Sequence, residues 1–596
     1  MMHRYLLLRY GSEGAGALAP RRIAAPSGFR EIPIAPGLIA FVASDCRCLT
    51  LSGMRGIVIG DLFHRHGASG PIQALGERDE AAIVRDPQQL NSRYWGGYVA
   101  VVVNDGCTRI IRDPTGALPC YHVELGQIEV FASDIITLCE AGVIKPEIDW
   151  HGLASYLYTA GLPTRTTAIA GVRELLPATA MQFEPGRASI IATWSPWKFT
   201  AIEPVADWED RAIRLRRVVE SCVRAWASSF DRILLSLSGG LDSSIVAASL
   251  AGSHSETVAL TMYSDDAAGD ERFYARELCT VLGIELRERL HHVKDIDIDQ
   301  AAGPHLPRPI GRTQNIAYER AFIATSASVG SQAFFTGNGG DNVFSYSQSA
   351  TSILDRYLFE GVSFGVLQTL GDVQALTGCG PVEALRAAVR VARKSKRAYH
   401  WRPDDKFLHP DLVSYQSRQA LDHSWLTHPP DGLPGQSAHI AGLLRVQQNL
   451  LPMRSAHAPV INPLLSQPIV EECLSIPSWI WCAGGKNRSL ARIAFRDKLP
   501  PLIINRKTKG TPDSFCIQIL ETYKDSICDR LLNGRLARHG LVDRERLERS
   551  LRSDRLALGI DHVRLLDLLD TEAWISHWEN FTASDDHRRH VLTARV

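Results

Sequence analysis

Apolar residues recur along this chain with two different periods. In the first third, short apolar runs at residues 57–59, 98–103, 109–111 and 129–131 are separated by turn signals at Asn104-Asp-Gly106 and Asp113-Pro-Thr-Gly116. That pattern predicts a β-rich region, with the Asn-Asp-Gly turn joining two antiparallel strands as a hairpin. The first ten residues carry an apolar run too short for a signal peptide and interrupted by Arg9, so they read as a first strand. A linker follows around Trp194-Ser-Pro-Trp-Lys-Phe-Thr-Ala-Ile-Glu-Pro204.

From Asp207 the period becomes helical, with Ile213, Leu215, Val218, Val219, Cys222, Val223 and Trp226 forming one stripe that reads as core. Strands are then predicted over 233–237, 258–263, 285–290 and 332–335, with helices near 243–250 and 270–282 between the first three. Strands alternating with helices imply a parallel sheet with crossover helices. The chain from Ser345 onward reads as mainly helical, including Ala384-Leu-Arg-Ala-Ala-Val-Arg-Val-Ala392 and a last helix through Val563-Arg-Leu-Leu-Asp-Leu-Leu569 and Trp574.

The chemistry concentrates at the end of the first strand of that alternating set. There the apolar run meets Ser238-Gly-Gly-Leu-Asp-Ser-Ser244. The glycines allow close backbone approach to a ligand, amides at a helix start attract anions, and Asp242 can hold Mg²⁺ against a phosphate. This SGGxDS loop points to ATP cleaved between its α- and β-phosphates; the GxxxxGK[ST] alternative is absent. A second glycine-rich loop, Thr336-Gly-Asn-Gly-Gly-Asp341, follows another predicted strand. Alone it reads as a tight turn with an N-capping Asp. Beside the first loop, Asp341 reads as a second Mg²⁺ carboxylate opposite Asp242.

Bulk properties narrow the class. At 596 residues the chain exceeds one ordinary core, so two or three domains are expected. Lys+Arg and Asp+Glu balance at 65 each, which gives no global footprint for nucleic acid or a membrane surface. No run is long enough to span a membrane. The twelve cysteines are scattered, with only Cys46 and Cys48 close together, so core or free thiols in a reducing cytoplasm are the reading, not a disulfide framework or metal site.

Several motifs in order resemble the asparagine synthetase family over nearly the whole chain. Trp95-Gly-Gly-Tyr-Val-Ala100, Ile111-Arg-Asp-Pro-Thr-Gly116 and Phe131-Ala-Ser-Asp134 are similar to its glutaminase-type domain. The two glycine loops, Asp270-Glu271, Asn462-Pro-Leu-Leu465, Gly485-Lys-Asn-Arg488 and Arg506-Lys-Thr-Lys-Gly510 are similar to its synthetase domain. The resemblance implies an α/β protein. Residues 1–199 would form an αββα amidotransferase-like (Ntn-type) domain, and residues 205–596 an ATP pyrophosphatase α/β domain with a largely helical extension. It further implies that Leu237 and Met262 line an adenosine pocket, largely through backbone atoms, that Thr336 and Gly337 face the nucleotide, and that Ser238, Gly239, Gly240, Asp242, Ser243 and Ser244 cradle pyrophosphate. Lys509 would be the late catalytic lysine, with Lys507 as the fallback; otherwise both are surface charges.

Departures from the family refine the expectation. The family's nucleophilic cysteine follows the initiator Met; here Met2, His3 and Arg4 stand there, and Ile59-Gly-Asp-Leu-Phe63 replaces the usual Asn-Gly-Glu segment. Glutamine hydrolysis is therefore expected to be absent, leaving the nitrogen nucleophile to come from a substrate amine. Asn338 stands where asparagine synthetases carry Glu and β-lactam-forming relatives Tyr, and Pro459 stands where the family has Glu. Gly339-Gly-Asp-Asn-Val-Phe344, His457 and Pro463-Leu-Leu-Ser-Gln-Pro468 instead resemble the macrolactam-forming cyclases of lasso peptide biosynthesis. That branch implies an Asp or Glu side chain of a precursor peptide, activated by ATP–Mg²⁺ as an acyl-adenylate and captured by the peptide's own α-amine. A leader peptidase and a leader-binding protein would be its partners. His457 is the candidate base, or else a buried structural histidine. The alternatives are a small-molecule lactam synthetase, an ammonia-dependent asparagine synthetase, and an inactive peptide-binding scaffold.

Overall fold

The computed structural model describes residues 3–10, 23–66, 70–202, 207–264, 270–394, 399–421, 423–427, 429, 432–507, 513–552 and 561–593. Two six-stranded antiparallel sheets form the N-terminal part. Tyr5–Tyr10 sits near the middle of the first, between Leu38–Ala43 and Ile128–Ala132. Gly56–His64 and Tyr94–Asn104 pair along the second, with Thr179–Glu184 and Arg187–Ala192 at its far edge. The inward faces interdigitate through Tyr5, Leu7, Val42, Ile57, Val99 and Met181. The helix Glu77–Arg85 covers the outer face of one sheet through Ile83 and Val84. Ile135–Glu140 and Trp150–Thr159 cover the other through Ile135, Leu138, Leu153 and Leu157. Four layers, αββα, result. The predicted hairpin is present: Asn104 pairs with Cys107 around Asp105 and Gly106, both at positive φ, as a two-residue turn with right-handed strand twist requires.

The second half is built on five parallel strands in the order Glu285–Leu290, Glu256–Tyr263, Arg232–Ser236, Ala333–Phe335, Val460–Ile461. The strand order reverses at Arg232–Ser236, which pairs with Glu256–Tyr263 on one side and Ala333–Phe335 on the other. A reversal of this kind opens a crevice at the carboxyl ends of the two strands. The expected helices over 243–250 and 270–282 appear as Leu241–Leu250 and Arg272–Leu282. The helical stripe becomes Trp208–Ala227, with Leu215, Val219, Cys222, Val223 and Trp226 buried and Ile213 facing out.

The halves share their cores. Phe63, Trp95 and Trp194 pack with Trp226, Leu235 and Leu465 in one cluster. Leu6 and Leu153 join Ile519, Leu565 and Trp574 in another. The expected linker is accordingly tied down where it is described: the Trp194 indole donates to Glu471 Oε1 at 2.8 Å, and Pro196–Phe199 forms a 3-10 turn. All twelve cysteines are free thiols. No helix among the described residues is long and apolar enough to cross a membrane.

Candidate active site

The strand Arg232–Ser236 ends in Leu237, whose N–H still bonds to the Leu260 carbonyl at 3.0 Å. The backbone then turns sharply. Gly239 has φ +63, and a Cβ there would lie 2.5 Å from Tyr274 Cβ, so only glycine fits. The loop closes on itself: the Ser238 N–H donates to Ser243 Oγ at 3.3 Å and the Gly240 N–H to Ser238 Oγ at 3.3 Å. Ser244 is fully buried and spends both its N–H and its hydroxyl on the Gly240 carbonyl, at 3.1 and 2.7 Å. Its observed role is to brace the helix start, which departs from the expected phosphate contact.

The second loop lies directly on the first. A Cβ on Gly337 would meet the Ser243 nitrogen at 2.5 Å, and one on Gly340 would meet Asp242 Cγ at 2.4 Å. The glycines are thus required by loop-on-loop packing. Thr336 Oγ1 donates to Asn462 Oδ1 at 2.6 Å and accepts from the Asn338 N–H at 3.0 Å, while the Asn338 side chain donates to the Asn449 carbonyl at 2.9 Å.

Asp242 and Asp341 converge on one point. Arg488 Nη1 donates to Asp242 Oδ2 at 2.7 Å and to Asp341 Oδ1 at 2.5 Å. Arg488 has φ +52, and its guanidinium lies 5.3 Å from the centre of the Tyr346 ring. The two acids proposed from sequence as metal ligands do meet, but across an arginine that sequence reasoning did not single out. A guanidinium held by both acids shows that their oxygens can share one small cation. No cluster of three or more His, Cys, Asp or Glu suited to a metal occurs among the described residues. A divalent ion here would therefore complete its shell with phosphate or water, as Mg²⁺ does.

Behind the acids lies a cavity of about 840 Å³. Ser238, Gly240, Asp242, Ser243, Thr336, Gly337 and Asp341 are on its wall. So are six basic residues, Arg312, Arg454, Arg488, Arg492, Arg506 and Lys507, against the three acids Asp242, Glu319 and Asp341. Arg506 and Arg312 are paired off the wall, with Glu271 and with Asp567 at 4.0 Å, so the excess that favours an anionic ligand comes from Arg492 and Lys507. Glu319 is buried and paired to Arg454, leaving Arg492, Arg506 and Lys507 on the loop side. Burial and the neighbouring Arg488 charge push Arg492 down to about 10. Arg506 reaches the first loop, donating to the Gly239 carbonyl at 3.1 Å and pairing with Glu271.

Not every expected residue reaches the cavity. The Leu237 side chain is buried in the core and Met262 packs against the cluster of Phe322 and Phe334, so neither is on the cavity wall, and an adenosine contact there would fall to their backbone atoms. Gly239 serves the turn and Arg506. His457 is exposed and off the wall, at the end of a short 3-10 turn, which corrects both its reading as a base and its reading as a buried histidine. Lys509 lies outside the described residues; Lys507, the fallback, is exposed on the cavity wall.

The N-terminal domain has a smaller, closed counterpart. Arg47 N–H donates to His3 Nδ1 at 3.2 Å, which assigns the ring proton to Nε2, and Nε2 bonds to Asp61 Oδ2 at 2.9 Å. Arg47 pairs with Asp61 Oδ1 at 2.6 Å and donates to Ser229 Oγ of the other half at 2.8 Å. His3 borders a cavity of about 60 Å³ with Trp95, Gly97 and Trp226, and that cavity shares Leu451, Val460 and Asn462 with the large one. Cys46 is buried, and burial pushes its thiol up.

The description "Asparagine synthase" matches residues 214–576, more than half of the chain. The chain belongs to the asparagine synthase family. "Glutamine amidotransferase domain" matches residues 87–194, so the protein is a two-domain α/β member with an N-terminal amidotransferase-type domain and a C-terminal asparagine synthase domain. "Asparagine synthetase [glutamine-hydrolyzing] 3" of Bacillus subtilis (strain 168) is 27% identical over 168 residues, 27% of this chain. The chain spans about a quarter (26%) of the length of that relative. Among solved structures, glutamine phosphoribosylpyrophosphate amidotransferase from B. subtilis, complexed with ADP and GMP, is 8% identical, with TM-score 0.17, covering 42% of this chain and 51% of that one. A structure titled as the allosteric regulatory enzyme of purine biosynthesis is 9% identical, with TM-score 0.19, covering 39% and 54%.

Proposed function

We propose that this asparagine synthase family member is an ATP-dependent, AMP-forming amide ligase that closes an isopeptide macrolactam in a precursor peptide, as lasso peptide cyclases do. The observation that carries the reading is the convergence of Asp242 and Asp341 on one cation position, at the mouth of an anion-favouring cavity between two glycine loops. ATP would lie across the strand-order reversal, with pyrophosphate against Ser238, Gly240 and Ser243 and the nucleotide against Thr336 and Gly337. Mg²⁺, held by Asp242 and Asp341, would neutralise phosphate charge. A side-chain carboxylate oxygen of Asp or Glu attacks the α-phosphorus, the α–β bridging bond breaks, and pyrophosphate leaves. The peptide's α-amine nitrogen then attacks the acyl carbon, loses a proton, and expels AMP. Lys509, or Lys507 on the wall, would offset negative charge on the oxyanion. Holding amine and carbonyl together offsets the entropic cost of ring closure.

Two features support an amine from the substrate over ammonia from glutamine. His3 and Asp61 are committed to each other and to Arg47, and the Cys46 thiol is buried and raised. The cavity is also near the upper end of the range for ligand sites, leaving room beside a nucleotide. The test incubates the protein with ATP–Mg²⁺, a leader peptidase and a candidate core peptide bearing an acidic residue. Loss of one water from the peptide together with AMP formation supports the reading. ADP formation, or asparagine made from aspartate and ammonia, overturns it.

A further inference from the structure

Off the cavity wall, three helices form a lobe: Thr351–Glu360, Phe364–Thr377 and Pro381–Lys394. They share a small core of Ile353, Val373, Ala384 and Ala388. The last helix turns its alanines inward and its larger residues outward. Val382, Leu385 and Val389 are exposed at helical spacing, and Arg386, Arg390 and Arg393 are exposed on the adjoining strip. Val362 and Phe364, at the preceding helix junction, are 94% and 83% exposed, and Leu367 is exposed one turn further on. Nine of the eighteen exposed large apolar residues among the described ones fall within this lobe, so they form a patch rather than the usual scatter.

We propose that this lobe docks on an anionic lipid bilayer. Charge selects that occupant. Between Glu383 and Asp404 the sequence has seven Arg and Lys residues and no Asp or Glu. An arginine strip bordering an apolar strip on one helix is the pattern of helices that lie in a lipid interface. A second copy would set like charges face to face. Side chains as exposed as Val362 and Phe364 stand clear of their neighbours instead of lining a groove, which suits insertion among lipid chains over reception of a partner's helix. The attachment is peripheral. It does not rest on the reading of the cavity.

Flotation of the full chain with vesicles tests it. Vesicles of equal parts phosphatidylglycerol and phosphatidylcholine should carry the protein up, vesicles of phosphatidylcholine alone should not, and added salt should release it. The triple variant Arg386→Gln, Arg390→Gln, Arg393→Gln should weaken binding about a hundredfold, and Val362→Ser with Phe364→Ser should weaken it as well. Both variants are compared at an unchanged unfolding midpoint, which excludes misfolding. Failure to float with anionic vesicles at low salt overturns the proposal, as does equal binding to neutral vesicles or indifference to the arginines. Retention on an immobilised acidic amphipathic peptide without vesicle binding overturns it in favour of a protein partner.

Discussion

Two charged clusters, one in each domain, are assembled from similar parts and end in opposite states. In the N-terminal domain one carboxylate, Asp61, is held by Arg47 and a neutral His3, and the cluster borders a cavity of only about 60 Å³. In the synthase domain two carboxylates, Asp242 and Asp341, share one guanidinium and open onto about 840 Å³. The first is balanced and closed. The second joins two carboxylates at one guanidinium on the wall of a space large enough to admit a ligand. Buried charge is tolerated when it is paired; charged groups gathered on the wall of a large cavity mark where a ligand enters. The asparagine synthase match covers the second cluster, and of the two only that cluster opens onto a ligand-sized cavity.

The comparison breaks most decisively at Asp242. Asp242→Asn should lower ATP-dependent pyrophosphate release about a thousandfold, within the range for losing a key electrostatic group, with little change in the unfolding midpoint. Normal pyrophosphate release by that variant would remove the metal assignment. The mirror experiment is Asp61→Ala, which strands Arg47 and His3 and should cost about 3 kcal/mol in denaturant unfolding, while the folded fraction keeps its turnover. If Asp61→Ala instead abolished turnover without destabilising, the N-terminal cluster would be catalytic and the contrast would fail.

A gentler probe is steric. Gly337→Ala places a methyl 2.5 Å from the Ser243 nitrogen, which should cost about 1–3 kcal/mol and raise the ATP concentration needed for half-maximal rate. The smallest effects are in pH. Burial would raise Asp61, but His3 and Arg47 outweigh it and hold it below the usual carboxylate range. Its contribution is whole above about pH 4 and is lost only as pH falls through its lower folded value. Asp570, behind the cavity wall, behaves oppositely: burial pushes it to about 7, and it accepts from the Ala302 N–H at 2.7 Å. The folded state then holds a proton that the unfolded chain releases, so stability should fall as pH rises from about 4 to about 7. Asp570→Asn keeps an acceptor and should flatten that slope in thermal melts.

How much of this was legible in the sequence depends on how local each signal is. Arg232–Ser236 and Ala333–Phe335 fall within a residue of their expected spans because apolar runs end there at clear breakers, and Glu285–Leu290, an alternating Glu-Leu-Arg-Glu-Arg-Leu segment, matches its span as the next strand of the strand–helix alternation. Phe29–Ala35 and Arg187–Ala192 gave no such signal: the first is interrupted by Arg30-Glu31 and Pro33, the second is an exposed edge strand. Val460–Ile461 is a two-residue strand that exists only because Ala333–Phe335 pairs with it. At the site, the glycine loops and both aspartates were readable from spacing. Arg488 was quoted only as part of a family motif, since nothing local shows that residues 242, 341 and 488 meet. The placement of His457 came from resemblance alone, and the structure leaves it exposed and off the cavity wall.

The contact between the two glycine loops has a consequence for how such a protein can diversify. Gly337 rests on the Ser243 amide and Gly340 on the Asp242 carboxyl, so neither loop can gain a side chain unless the other retreats. They form one inflexible cradle in which almost every letter is spoken for. Asn338 is different: it stands between these glycines and reaches the cavity wall, with its backbone N–H on Thr336 Oγ1 and its side chain on the Asn449 carbonyl. A lineage could rewrite what is joined to what by changing that one position, while the machinery that spends the nucleotide stays as it is.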